Sequence, residues 1–184
     1  WRTAPDEPTG LEGAWASCHV AAFGCTLHVM TVPRPGRALV GTSGFAYRDW
    51  APRFYPAGTR PSDLLRVYAG RLVAVELNNT FYVRPSARAI EGWLAATPTD
   101  FRFGAKAQRG GAWRALRDDP EGAVTRLAES YRPFGHRLRC VLLRVPDDMP
   151  RHDAALARLL DAWPASLPLA LEMRHPSWQD DAVH

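Results

Sequence analysis

The sequence predicts an α/β fold, an incomplete TIM-type (β/α) barrel holding about five of the roughly eight βα units that close such a barrel. Three observations carry this. From Ala38 onward, apolar runs of strand length alternate with segments of helical period, the pattern of repeated βα units and a parallel sheet. Proline, Ser and Asp precede the helical segments, where a fixed φ or a side-chain oxygen starts a helix. Charged residues recur near the C-terminal ends of four strands, on the face opposite the large apolar side chains.

The strands are placed at Ala38 to Gly41, Val73 to Leu77, Phe101 to Ala105, Cys140 to Val145 and Leu169 to Met173. Pro61-Ser62-Asp63 opens the first helix, followed by Leu64, Leu65, Val67 and Tyr68; Pro85-Ser86 opens the second, through Ile90, Trp93 and Leu94. The third runs from Pro120 to Tyr131. The fourth runs from Asp153 to Ala162, with Leu156, Leu159 and Leu160 as its buried stripe. Trp178 to His184 reads as the start of a fifth. The glycine-bearing segment from Gln108 to Trp113 is expected as a loop, either a lid over the strand ends or a simple connection.

Residues 1 to 37 carry scattered Pro and Gly and no sustained period, so the domain is expected over residues 38 to 184, with the first segment foreign to it. Both ends of the chain resemble cut points, and open parallel edges are expected to make the isolated chain prone to association. A hydrophobic content of 46% suits one globular domain. Net charge is +4, with a pI near 9.3, which favours anionic partners; yet no run of Arg forms a stripe or tail. Cys18, Cys25 and Cys140 form an odd set without metal or redox spacing, which predicts reduced thiols and a cytoplasmic setting. The moderately apolar stretch from Ala14 to Met30 is broken by Ser, His and Gly and has no basic segment before it, so neither a membrane span nor a signal peptide is expected.

Alternation sorts the strand residues onto two faces. Val73, Val75 and Leu77 oppose Ala74, Glu76 and Asn78; Phe101, Phe103 and Ala105 oppose Arg102, Gly104 and Lys106. Likewise Leu143 and Val145 oppose Arg144, and Leu171 and Met173 oppose Glu172 and Arg174. In parallel barrels the C-terminal strand ends carry the site, because loops and convergent side chains meet there. A buried ion-pair network that merely closes the barrel is the competing explanation.

At these positions the sequence resembles the YecE-like family, also called domain of unknown function 72. Gly41-Thr42-Ser43-Gly44-Phe45-Ala46-Tyr47-Arg48-Asp49-Trp50 resembles the family's opening strand and loop, with Phe45 where Trp is usual, followed by Phe54-Tyr55-Pro56. Val75-Glu76-Leu77-Asn78-Asn79-Thr80-Phe81-Tyr82, Phe101-Arg102-Phe103-Gly104-Ala105-Lys106 and Glu172-Met173-Arg174-His175-Pro176-Ser177-Trp178 resemble its second, third and fifth strand signatures. Leu142-Leu143-Arg144-Val145-Pro146-Asp147-Asp148 departs from the family pattern, placing Arg where Gln is common. The resemblance implies a TIM barrel similar to metal-dependent isomerase and endonuclease barrels; it supplies no substrate.

Lys106 is the single lysine among 23 basic residues. An ammonium is compact and can lose its proton when buried, whereas guanidinium stays charged and needs a planar partner, so chemistry can demand this exception; a neutral exception in an Arg-biased chain is the alternative. Glu76 and Glu172 are candidates for general base and acid with Lys106, for metal ligands, or for balancing charges. The inward set of Glu76, Lys106, Arg144, Glu172 and Arg174 carries one net positive charge, which suits a carboxylate or phosphate better than a divalent metal. Only His175 lies at a strand end, so no metal is assigned, and the cofactor is left unspecified. Ser43, Tyr47, Asn78, Asn79, Arg144, Arg174 and His175 are the candidate ligand-binding residues. Tyr47, Trp50, Phe81, Tyr82 and Trp178 either stack on a sugar or base or belong to the core. His136 and His152 read as surface residues without a role. The leading expectation is a barrel binding an anionic small molecule, with an enzymatic role through Lys106 and a carboxylate left open. Nucleic-acid binding with phosphodiester chemistry and a non-functional fragment are the alternatives.

Overall fold

The computed structural model describes residues 38–117 and 119–180. The expectations placed on residues 1 to 37, including Cys18 and Cys25, and on the chain beyond residue 180 lie outside the described residues. Five parallel strands, β1 (Gly41–Ser43), β2 (Ala74–Leu77), β3 (Arg102–Lys106), β4 (Leu138–Arg144) and β5 (Leu169–Glu172), lie in the order of the chain. The helices between them are α1 (Leu64–Ala69), α2 (Ala87–Ala95), α3 (Arg109–Ala115), α4 (Pro120–Tyr131) and α5 (Asp153–Ala162). This is the βα succession read from the sequence, with α3 added to it.

The helix-facing side of the sheet forms the core. Val75, Leu77, Phe103, Ala105, Val141 and Leu143 are buried in one cluster with Tyr68, Ile90, Val124, Leu127, Tyr131, Phe134 and Leu159. Their neighbours Glu76, Gly104, Lys106, Leu142 and Arg144 are each half-buried, so the period-2 alternation holds through β2, β3 and β4.

Two elements differ from the sequence expectation. β1 begins at Gly41, where the apolar run expected as the strand ends, and Val40 is 63% exposed. Polar contacts set this register. The Tyr68 hydroxyl accepts from the Thr42 N–H at 2.8 Å and donates to the Ala74 carbonyl at 2.9 Å, bridging the two strands. Gly41 sits so close to β2 that an added Cβ would lie 2.1 Å from the Ala74 carbonyl oxygen. The expected loop from Gln108 to Trp113 is instead the start of α3. Gln108 Oε1 accepts from the Gly111 N–H at 2.8 Å and caps the helix. A Cβ on Gly111 would lie 2.8 Å from Leu127 Cδ2, so the glycine lets α3 press against α4. Its helical penalty, about 1 kcal/mol, is offset by that contact and by burial of Ala112 and Ala115.

Ser86 caps α2, Asp119 caps α4 through the Gly122 N–H at 2.9 Å, and His152 Nδ1 caps α5 through the Ala155 N–H at 3.1 Å. His152 thus has a structural role that its position in a connection concealed. The Asp119 carboxyl is held below its ordinary range, first by the hydrogen bond from Arg126 and then by the Gly122 N–H. A depressed folded value means that this stabilisation is present above the unfolded carboxyl's pKa and lost as pH falls through the folded one. Acid titration of the Gly122 amide resonance should therefore show an inflection below the ordinary aspartate value of 3.8, and Asp119→Asn should remove it.

Arg137 is buried, and its guanidinium ties three segments together. Nη1 donates to the Leu94 carbonyl at 2.9 Å, Nε to the Phe101 carbonyl at 3.2 Å, and Nη2 to Thr97 Oγ1. It also lies over the Phe103 ring, 5.3 Å from the centroid.

Candidate functional site at the strand ends

Register brings Ser43 beside Glu76 and Glu76 beside Gly104, whose missing side chain leaves the row open between Glu76 and Cys140. Ser43 Oγ donates to Glu76 Oε1 at 2.6 Å, and Asn78 Nδ2 donates to Ser43 Oγ at 2.9 Å. Tyr47 donates to the Ser43 carbonyl at 2.6 Å and so fixes the end of β1. Lys106 Nζ lies 3.5 Å from Glu76 Oε1. The structure thus brings together Ser43, Tyr47, Glu76, Asn78 and Lys106.

The backbone of Lys106 is held from beneath. Thr80 Oγ1 lies 2.7 Å and the Tyr131 hydroxyl 3.0 Å from its carbonyl oxygen, and the Gln108 N–H donates to Tyr131 at 3.1 Å. Burial pushes the Tyr131 phenol up to about 12, which keeps it protonated as a donor. Sequence reasoning missed Thr80 and Tyr131. Thr80 lay unremarked inside the Asn78-Asn79-Thr80 motif, and Tyr131 looked like the last residue of a helix.

The fourth and fifth strand ends form a separate group. Arg144 Nη2 pairs with Asp147 at 2.6 Å, and Glu172 Oε1 pairs with Arg174 Nη2 at 2.6 Å, with Arg144 and Glu172 adjacent in register. No hydrogen bond or ion pair joins this group to the Lys106 group among the described residues. Asp147 also cancels the net positive charge read from the inward set. His175 Nδ1 lies 2.8 Å from Ser177 Oγ and accepts from the Ser177 N–H at 3.2 Å, so it caps the turn Pro176–Trp178. Asn79 opens the turn Asn79–Phe81, its carbonyl accepting from the Tyr82 and Val83 amides at 3.1 Å.

Among the aromatic candidates, Trp178 is buried with Nε1 donating to the Met149 carbonyl at 3.1 Å, and Trp50 packs with Tyr47, Phe54 and Tyr55. Tyr82 is 74% exposed. Among the described residues no three His, Cys, Asp or Glu side chains gather to hold a metal, and no helix is long and apolar enough to cross a membrane.

Residues 39–184 match the family described as "Protein of unknown function DUF72". The chain belongs to this family. It is 28% identical over 147 residues to the UPF0759 protein YunF of Bacillus subtilis (strain 168), covering 76% of this chain and 51% of YunF. The chain therefore spans about half the length of that curated relative. Among solved structures, a DUF72 family protein (TM1631) from Thermotoga maritima MSB8 matches with a TM-score of 0.68 at 30% identity, covering 79% of this chain and 58% of that one. A DUF72 family protein (EF0366) from Enterococcus faecalis V583 matches in fold, with a TM-score of 0.63 at 24% identity over 79% of this chain and 54% of that one. The parallel βα succession of the DUF72 chain fits part of the barrel of its structural neighbours.

Proposed function

We propose that the ends of β1, β2 and β3 bind a small anionic molecule, with Lys106 as its cation and Glu76 as the adjacent proton acceptor. The observation that carries this reading is the incomplete pairing of Lys106. An ammonium has three N–H donors. Its acceptor among the described residues is Glu76 Oε1 at 3.5 Å, longer than a charge-assisted hydrogen bond of about 2.7 to 2.9 Å. Arg144 and Arg174, by contrast, are engaged by carboxylates at 2.6 Å. Ser43, itself held by Asn78, donates to Glu76 Oε1, and no hydrogen bond among the described residues engages Oε2. Thr80 and Tyr131 anchor the Lys106 backbone, so the ammonium is presented from a fixed strand end rather than a loop. Glu172, the remaining member of the expected acid-base set, is paired with the ligand-binding candidate Arg174 and contributes at most a neutral wall to this reading.

The single lysine makes the test direct, because lysine-specific carbon-13 labelling gives one side-chain ε resonance. Titration with acetate, succinate and pyruvate should shift it saturably, and Glu76→Gln should alter the response. A resonance unmoved by every one of these anions would overturn the reading. Both side chains of the pair remain about a quarter exposed, so Lys106→Met should cost no more than about 1 kcal/mol of stability in denaturant titration.

A further inference from the structure

We infer that the cavity between α3 and α4, lined also by Arg84, is a binding site for a phosphate monoester. This site is separate from the strand-end group and does not rest on the Lys106 reading. The cavity holds about 150 Å³ and is lined by Arg84, Arg114 and Arg126, with Gln108 at its edge. The three guanidinium groups come from different places: the segment after β2, the last turn of α3 and the middle of α4. Gly111 lets the two helices approach, and the apolar floor includes Leu127 of α4.

Charge and donor geometry identify the ligand class. Asp119 engages Arg126 at 2.6 Å and offsets one of the three positive charges. Two remain, matching the charge of about −1.5 to −2 on a phosphate monoester near neutral pH. The side chains of Arg84 and Arg114 make no hydrogen bond or salt bridge among the described residues, so both planar forks keep their donors for terminal phosphate oxygens. A flat carboxylate offers fewer oxygens than the three arginines lining the cavity can use. A phosphodiester carries only one charge and has both ester oxygens blocked.

Calorimetric titration of the whole chain with glycerol 3-phosphate, inorganic phosphate and dimethyl phosphate tests this. Glycerol 3-phosphate and inorganic phosphate should saturate one site, with the diester weaker by at least about tenfold. Arg84→Gln and Arg114→Gln alter exposed side chains and should each weaken the monoester by about tenfold. Arg117→Gln, which removes a guanidinium stacked 4.7 Å from the Trp113 ring centre and outside the cavity lining, should leave binding unchanged. Absence of saturable binding, equal loss in Arg117→Gln, or equal affinity for the diester would overturn the site. Lys106→Met separates the two readings. Monoester binding retained in that variant supports the arginine cavity, and binding lost there would move the phosphate to the strand ends and overturn this inference.

Discussion

Arg137→Ala is expected to destabilise the domain by about 2 to 4 kcal/mol, read as a lower midpoint in denaturant at unchanged slope. The guanidinium is buried without a salt bridge among the described residues, and burial is the first cause that lowers its pKa. What holds it there is geometry. Its three donors reach acceptors at the end of α2, in the turn after it and at the start of β3, which a single planar fork spans at once. Truncation removes the guanidinium bonds to the Leu94 and Phe101 carbonyls, which keep only the side-chain contacts from Thr97 Oγ1 at 3.4 Å and Arg102 Nη1 at 3.2 Å, and removes the group packed on Phe103. Arg137→Lys tests the geometric part, because an ammonium keeps the charge and cannot reproduce the fork. It should recover less than half of the loss, and a lysine variant as stable as the parent would show that charge alone matters.

Tyr68→Phe should be the second largest effect, a loss of about 2 to 3 kcal/mol from one oxygen atom. The Tyr68 ring is fully buried, so the apolar contacts survive the substitution and the loss isolates the hydroxyl. That hydroxyl bridges the Thr42 N–H and the Ala74 carbonyl, and removing it strands a donor and an acceptor where β1 joins β2. The consequence extends to the candidate site. Ser43 follows Thr42 directly and holds Glu76, so accelerated amide exchange at Thr42 should accompany a changed Lys106 side-chain resonance. A global loss without local loosening at Thr42 would place the hydroxyl's effect elsewhere.

The βα order was legible because strand and helix periods differ and the large apolar residues keep to one phase in each. The bounds of α5 were read as they stand, but of its expected buried stripe Leu159 is buried, Leu156 is partly buried and Leu160 is 47% exposed, because the helix turns Ala155 rather than Leu160 to the core. β1 and α3 were not read, for a shared reason. At β1 a distant tyrosine, not local hydrophobicity, selects the paired residues. At α3 two glycines look like a break until α4 supplies the surface against which Gly111 packs.

The candidate site divides in the same way. Period-2 phase and strand position sufficed to bring forward Glu76, Lys106, Arg144 and Glu172, because alternation is a local property of extended backbone. Which of them pair was decided by register and by loop residues, as when Asp147 meets Arg144 three residues on, while Ser43 meets Glu76 across 33 residues of sequence. Thr80 and Tyr131 under Lys106, and the three arginines around the α3–α4 cavity, belong wholly to that second level. By itself the sequence determined the fold class, the order of the five strands and the face taken by the residues of β2, β3 and β4. Only the tertiary structure decided partners, because a hydrogen bond or ion pair depends on separations of a few ångströms between segments that chain order leaves free.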